Sequence, residues 1–127
     1  MAWRWISEAL VRAVHGEQLA QHGGAAGVRD GGLLASALGR PQNLAAYGDP
    51  DCAALAASLA WGIARNHPFV DGNKRSAFVA GALFMELNGF RLVASEADVV
   101  LTFLALAAGD VSEPALADWF RANSRPC

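Results

Sequence analysis

The stretch Arg65-Asn66-His67-Pro68-Phe69-Val70-Asp71-Gly72-Asn73-Lys74-Arg75-Ser76 separates two helical patterns. Before it, Leu55, Leu59 and Ile63 recur every four residues, which predicts a helix over residues 51–66 with a face in the core. After it, apolar residues at helical spacing predict a second helix over residues 73–88. Proline and glycine interrupt the residues between these two patterns, so we expect a loop that joins two packed helices.

Two helices are predicted on the N-terminal side of this pair. Ser7 precedes an apolar stripe and is suited to cap a first helix that ends near Gln21. Asp30 is suited to cap a short second helix through Leu38, and Pro41 lies beyond its expected end. Residues 41–50 are predicted to form the longest irregular segment of the chain.

The C-terminal side predicts two further helices. Phe90-Arg91-Leu92-Val93 is typical of a short strand or an extended turn. Ser95 opens a helix that ends at Gly109, and Ser112 opens the last one. About a fifth of the chain is alanine, the best helix former. The sequence therefore predicts an all-α fold, a compact bundle of about six helices in one domain over residues 1–127.

Composition excludes several classes of protein. The chain is 54% hydrophobic with a net charge of -2, which excludes intrinsic disorder. Its basic residues are scattered and its pI is about 5.8, so we expect no direct binding of nucleic acid. Cys52 and Cys127 are too few for a disulfide framework. No apolar stretch is long enough to cross a bilayer and no signal-peptide core is present, so we expect a cytoplasmic protein without a membrane partner.

The central stretch collects groups suited to phosphate chemistry. A helix N-terminus offers unpaired N–H groups and partial positive charge, and Gly72 lets the backbone approach an anion closely. Lys74, the one lysine of the chain, and Arg75 oppose the helix dipole, which predicts an anion beside them. Asp71 is suited to hold Mg²⁺ next to phosphates. His67 is the candidate general base.

Each of these residues also has an ordinary structural interpretation. A histidine before proline often caps a helix, Asp71-Gly72 alone is a turn, and a lone lysine is usually solvated. For Arg65, contact with a phosphate and capping of the preceding helix stay open. We expect Phe69 to anchor the loop in the core, and His15 and His22 to lie at the surface.

Taken together, His67-Pro68-Phe69-x-Asp71-Gly72-Asn73-Lys74-Arg75 resembles the central motif of the Fic/Doc family, most closely its Doc branch. The resemblance extends over nearly the whole chain, through Gly23-Gly24, residues 27–30, residues 37–42 and residues 87–89. The Fic group has glycine where this chain has Lys74, and a second arginine where it has Phe78. Both departures match the Doc pattern.

The resemblance implies a toxin of a type II toxin–antitoxin system. Doc-like proteins act as protein kinases that move the γ-phosphate of ATP, with Mg²⁺, to elongation factor Tu and halt translation. In this chain the resemblance would make His67 the general base and Asp71 the Mg²⁺ ligand. Gly72 and Asn73 would cradle the anion, Asn73 also through its side-chain amide. Lys74 and Arg75 would neutralise phosphate charge. Arg65 is a further candidate for binding the nucleotide.

Partners and alternatives follow from the same resemblance. The inhibitory pattern that some family members carry in the chain is absent, so we expect a separate antitoxin that lays a helix over the nucleotide groove. In the family, the stretch before the motif helix carries a flap that pairs with the target; residues 43–48 are either that flap or an ordinary connector. The alternative functions are transfer of AMP, as in the Fic group, and non-catalytic binding of a nucleotide or a partner.

Overall fold

The computed structural model describes residues 2–127, which form six helices and two short strands. In chain order these are α1 (Glu8–His22), α2 (Gly31–Tyr47), α3 (Cys52–Asn66), α4 (Asn73–Leu87), β1 (Phe90–Leu92), α5 (Glu96–Ala107), α6 (Glu113–Ala122) and β2 (Ser124–Pro126). The predicted all-α bundle of about six helices is confirmed. No helix of residues 2–127 is both long enough and apolar enough to cross a membrane.

Helix α3 lies at the centre of the bundle. The apolar positions Leu55, Leu59 and Ile63 are each at most 1% exposed. The alanines between them are also buried, and α2, α4 and α6 pack around them. The sequence predicted one core face for this helix, but its small side chains let neighbouring helices approach it on almost every side.

Five of the six helices begin at a side chain that caps them. In each case a serine hydroxyl or aspartate carboxylate accepts a hydrogen bond from the backbone N–H three residues further on, which satisfies one of the unpaired donors of the first turn. The capping residues are Ser7, Asp30, Asp51, Ser95 and Ser112. The predicted starts of these five helices are therefore confirmed.

Helix α2 continues through the proline that was expected to lie beyond it. Pro41 is inside the helix and buried, on the same face as Leu34 and Ala37. This face packs closely on α3, because a Cβ at Gly62 would lie 3.3 Å from Ala37. The packing outweighs the backbone hydrogen bond that proline forfeits. The predicted end near Leu38 is wrong, and the segment predicted as irregular over residues 41–50 is irregular only from residue 48. Residues 43–47 form helix, so neither alternative for residues 43–48, a flap or a connector, holds for them.

A small sheet joins the end of α4 to the C-terminus. Strand β1 pairs antiparallel with β2, with Phe90 opposite Pro126 and Leu92 opposite Ser124. The strand at residues 90–92 was predicted as one of two readings of this segment. Its partner was not, because three residues ending in proline carry little strand signal of their own.

Candidate functional site

The loop between α3 and α4 begins with a residue in the left-handed conformation. His67 lies at φ 50° and ψ 56°, and its N–H donates to the carbonyl oxygen of Ile63 at 3.2 Å, which ends α3. Glycine is usual at this position, since a Cβ there costs about 1–2 kcal/mol. The side chain of His67 is exposed. The backbone therefore presents an imidazole to solvent in a conformation that disfavours it.

Phe69 and Asn73 close the loop against the core. Phe69 is 1% exposed, as predicted for a core anchor. The buried amide of Asn73 accepts from the Phe69 N–H at 3.0 Å and donates to the Phe69 carbonyl oxygen at 3.0 Å. Both functions of this amide are used inside the loop. The predicted contact of this amide with an anion stays a prediction, and the backbone N–H of Asn73 is a second candidate donor.

His15 of α1 packs beneath the loop, and its expected place at the surface is wrong. It is 5% exposed, and its ring stacks on Phe69 with centroids 3.8 Å apart and planes 7° apart. Its Nε2 lies 2.8 Å from the carbonyl oxygen of Asp71; a carbonyl only accepts, so Nε2 carries the proton. His15 follows the buried Val11 by one helical turn, which was a signal for the inward face. His22, by contrast, is exposed as expected.

The segment between α1 and α2 braces the loop from another side. Val28 forms an isolated antiparallel bridge with Phe69. The Arg29 N–H donates to the Pro68 carbonyl oxygen at 2.7 Å, and the Val70 N–H donates to the Gly27 carbonyl oxygen at 3.0 Å. The glycines of this segment adopt positive φ values. A short stretch of extended backbone therefore fixes the loop independently of side chains.

The carboxylate of Asp71 is exposed and held by two backbone donors. Its Oδ1 accepts from the Gly72 N–H at 2.9 Å, and its Oδ2 accepts from the Ala25 N–H at 3.3 Å. A Cβ at Gly24 would lie 3.0 Å from Oδ2, so glycine is needed there for close approach. Among residues 2–127, no group of three His, Cys, Asp or Glu residues is placed to hold a metal ion by itself.

The start of α4 differs from the other five helix starts. Its N-cap is Gly72, at φ 75° and ψ 19°, and no side chain caps the helix. The first turn holds no acidic residue. Lys74 and Arg75 lie there instead, both exposed. The first-turn N–H groups and two cations therefore meet at one end of the loop, without a protein carboxylate or hydroxyl as a cap.

A groove of about 400 Å³ opens beside this helix start, between α4, α5 and the end of α1. Its floor is mostly apolar and continues onto an exposed apolar strip of α5 at Val100 and Leu104. The remaining residues that line it are Gln18, His22, Lys74, Arg75, Phe78, Val79, Glu96, Val99 and Phe103. The groove thus has a basic edge at the start of α4 and an apolar wall on α5.

Arg65 points elsewhere. Its guanidinium carbon lies 5.8 Å from the centre of the Trp61 ring. A Cβ at Gly109 would lie 2.9 Å from its Nη1, so the guanidinium lies beside the turn that follows α5. No hydrogen bond joins it to the loop within residues 2–127. His67, Asp71 and the first turn of α4 therefore lie in one short segment of chain, whereas the guanidinium of Arg65 lies beside Trp61 and Gly109.

Comparison with known proteins agrees with this architecture. The family model described as the Fic/DOC family matches residues 5–85. The chain is 33% identical over 119 residues to the "Protein kinase doc" of Escherichia phage P1, which covers 93% of this chain and 94% of that protein. It is 47% identical over 75 residues to the "Toxin Doc" of Mycolicibacterium smegmatis, where the match spans 57% of each chain.

The family match contains α1 to α3, the loop and most of α4, and the phage relative extends it to nearly the whole chain. Lys74 stands in the first turn of α4. On the matched family, the extent of the similarity and the names of the two relatives, this chain belongs to the Fic/Doc family and to its Doc branch.

Proposed function

We propose that this protein is a Doc-type toxin that transfers the γ-phosphate of Mg²⁺-bound ATP to a hydroxyl of a target protein. The observation that carries the proposal is the start of α4, which has no side-chain cap and two exposed cations, next to an exposed imidazole and an exposed carboxylate. Phosphoryl transfer depends mainly on positioning and on stabilising negative charge. These four features would together meet both requirements.

The phosphates would lie at the first turn of α4. The N–H groups of Asn73, Lys74 and Arg75 lack partners within the helix, as in any first turn, and point along its dipole. Gly72 keeps side-chain atoms away from this turn. The two cationic side chains would then offset the charge that develops on the transferred phosphoryl group. An anion here would remove the unfavourable interaction between these cations and the helix dipole.

The residues present fit Mg²⁺ as a group bound together with ATP. Mg²⁺ commonly binds through one or two carboxylates and completes its coordination with waters and substrate phosphates. Asp71 provides one exposed carboxylate beside the start of α4, so we assign it as the protein ligand. When bound, the ion would supply charge neutralisation at the phosphates. The two backbone donors at Asp71 would hold the carboxylate in place for this role.

His67 would accept the proton of the attacking hydroxyl. Its imidazole is exposed and follows directly on the α3 terminus, so a protein substrate can reach it. Histidine is suited to this step because its ordinary pKa lies near neutral pH. Lys74 favours phosphate transfer over AMP transfer, since a lysine side chain fills space where the Fic group has glycine. That preference rests on the resemblance between this chain and the Doc branch.

The proposed partners are a target and an antitoxin. We propose elongation factor Tu as the target, which would make the protein an inhibitor of translation in the cytoplasm, and a separate antitoxin as the inhibitor. The groove beside α4 supports the second partner, because its apolar wall and basic edge suit an amphipathic helix that carries acidic residues near Lys74 and Arg75. Such a helix would cover the start of α4.

Labelled ATP tests the reaction. We would incubate the purified protein with elongation factor Tu, or with a bacterial lysate, and with ATP labelled at the γ- or the α-phosphate. Transfer of the γ-label to a protein band is expected. His67→Ala should reduce it at least about 100-fold, whereas Arg12→Ala, on the exposed face of α1, should not change it.

The contrary outcomes separate the alternatives. Transfer of the α-label, with a mass increase corresponding to AMP, would contradict the proposal in favour of the Fic-type reaction. Absence of both labels from every band, together with toxicity that survives His67→Ala, would favour a non-catalytic scaffold.

A further inference from the structure

The side chain of Arg29 binds two successive backbone carbonyl groups at the end of α3, those of Asn66 and His67. Its Nε donates to the carbonyl oxygen of His67 at 2.7 Å, and its Nη2 donates to the carbonyl oxygen of Asn66 at 2.9 Å. A guanidinium holds its donors in a rigid planar fork, so these two bonds fix the relative orientation of two successive carbonyl groups. The negative end of the α3 dipole favours a cation at this place.

The two carbonyl groups that Arg29 holds are those that define the left-handed turn at His67. Within residues 2–127, His67 is the one non-glycine residue with positive φ. Strain of this kind persists only when surrounding contacts impose it, and it often marks a functional position. The fork of Arg29 supplies two such contacts from a residue 38 positions earlier in the chain.

The ring nitrogens of His67 form no hydrogen bond with another residue in the described part of the chain. No side-chain hydrogen bond holds the ring within residues 2–127, and the residue is exposed. The position and direction of its Cα–Cβ bond, from which the ring extends, are therefore set by the backbone dihedral angles of His67. Whatever fixes those angles therefore limits the region in which the ring can meet a substrate.

We propose that Arg29 is a positioning residue that holds His67 in its left-handed conformation and thereby aims its imidazole. The catalytic part of this inference rests on the proposed function, whereas the conformational part does not. Arg29 lies outside the central motif and does not touch the first turn of α4 through any hydrogen bond in the described part of the chain. Its effect would pass through the backbone of His67.

Removing the side chain of Arg29 leaves the backbone hydrogen bonds between residues 27–30 and the loop in place, which makes the inference testable. The Arg29 and Asp30 N–H groups both donate to the Pro68 carbonyl oxygen, and the Val70 N–H donates to Gly27. These bonds involve only backbone atoms and would survive Arg29→Met. The variant is therefore expected to fold, with the loss confined to the two carbonyl groups of the turn.

The experiment measures conformation and kinetics on the full chain. In Arg29→Met we expect the three-bond HN–Hα coupling and the Cα shift of His67 to move away from the values of a left-handed residue. We also expect kcat for γ-phosphate transfer to fall about 10–100-fold, as for a misplaced catalytic group, while KM for ATP changes less than about 3-fold. Arg29→Lys should restore part of kcat, and Arg12→Met should behave like the wild type.

Two outcomes would overturn the inference. One is an unchanged His67 coupling and shift in Arg29→Met. The other is a rise in KM for ATP with kcat unchanged, which would place Arg29 in contact with the nucleotide. If the wild-type protein transferred no phosphate but Arg29→Met still altered the His67 conformation, the positioning inference would hold and the proposed function would fail.

Discussion

The starts of α3 and α4 differ in what is available to pair with the free N–H groups of the first helical turn. At the start of α3, the Asp51 carboxylate accepts from the Ala54 N–H at 2.9 Å and pairs with the Arg121 guanidinium at 2.7 and 2.9 Å. At the start of α4, Gly72 offers no side chain, and the charged residues that follow are cations. At the start of α3 a carboxylate accepts from a first-turn N–H, whereas at the start of α4 the neighbouring carboxylate of Asp71 accepts from the Gly72 N–H and leaves the first-turn N–H groups open.

This difference separates the stability of the bundle from its proposed chemistry. Helix α3 spans 15 residues, about 22 Å at 1.5 Å per residue, so Asp51 and His67 lie at opposite ends of it. Replacing residues at the start of α3, which we call the closed start because Asp51 caps it, should change the free energy of unfolding with little effect on phosphate transfer. Replacing residues at the start of α4, which we call the open start because no side chain caps it, should mainly change the rate of phosphate transfer. Some of these replacements should raise the free energy of unfolding.

The largest expected effect comes from placing a carboxylate within the first turn of α4. Lys74→Glu places a carboxylate in the first turn, where it interacts favourably with the helix dipole. We expect the free energy of unfolding to rise by about 0.3–1 kcal/mol at low salt, and γ-phosphate transfer to fall about 100–1,000-fold because charge stabilisation is lost and the phosphates are repelled. Urea unfolding and labelled transfer measure the two effects.

A mirrored substitution controls for the dipole effect. Glu8 lies in the first turn of α1, where it pairs with Arg12 on the exposed face. Glu8→Lys should lower the free energy of unfolding by a similar small amount and leave transfer unchanged. A Lys74→Glu variant that lost stability and kept its transfer rate would break the comparison between the two helix starts.

The next largest effect is expected at His15, because the open start depends on support from another helix. His15→Phe keeps the stacking on Phe69 but removes the donor to the Asp71 carbonyl oxygen. We expect the free energy of unfolding to fall by about 1–3 kcal/mol, the cost of an unpaired polar group, and transfer to fall about 10-fold as the loop shifts. His22→Phe, at the exposed end of α1, should cost at most about 0.5 kcal/mol. Equal losses of stability in both variants would contradict the role of His15.

Features encoded by neighbouring residues were predictable from the sequence. Serine or aspartate before an apolar run predicted the capped helix starts, and four-residue spacing predicted the buried face of α3. Six of the seven candidate site residues lie within one loop and helix start, so their proximity followed from the chain itself. Their roles in binding and catalysis stay predictions.

Features that depend on distant contacts were not predictable. Pro41 ends helices by local rules, and only the close approach of Gly62 and Ala37 shows why α2 continues. The apolar spacing from Val11 indicates which way His15 faces but not that it meets Phe69. Arg29 was noted in the sequence only as part of the family resemblance, because its two carbonyl partners lie almost forty residues further on.

The smallest expected effect concerns the closed start and its dependence on pH. The hydrogen bonds from Arg121 lower the pKa of Asp51 below its ordinary value of 3.8. A carboxyl group with a lowered pKa in the folded state adds stability above its unfolded pKa and loses it as the pH falls through the folded value. Both side chains are about half exposed, so we expect a contribution of about 0.2–1 kcal/mol.

Asp51→Asn isolates this contribution, because asparagine caps a helix about as well as aspartate. Urea unfolding at pH 7 should show the wild type to be more stable than Asp51→Asn, with equal transfer rates in the two proteins. The difference should persist down to about pH 4 and should vanish below the lowered pKa, where Asp51 is protonated in both states. Asp49→Asn, which removes the same charge from a neighbouring exposed residue, controls for net charge. A difference that persisted after Asp51 had been protonated would show that asparagine fails as a cap here, and that the ion pair is not what distinguishes this helix start from that of α4.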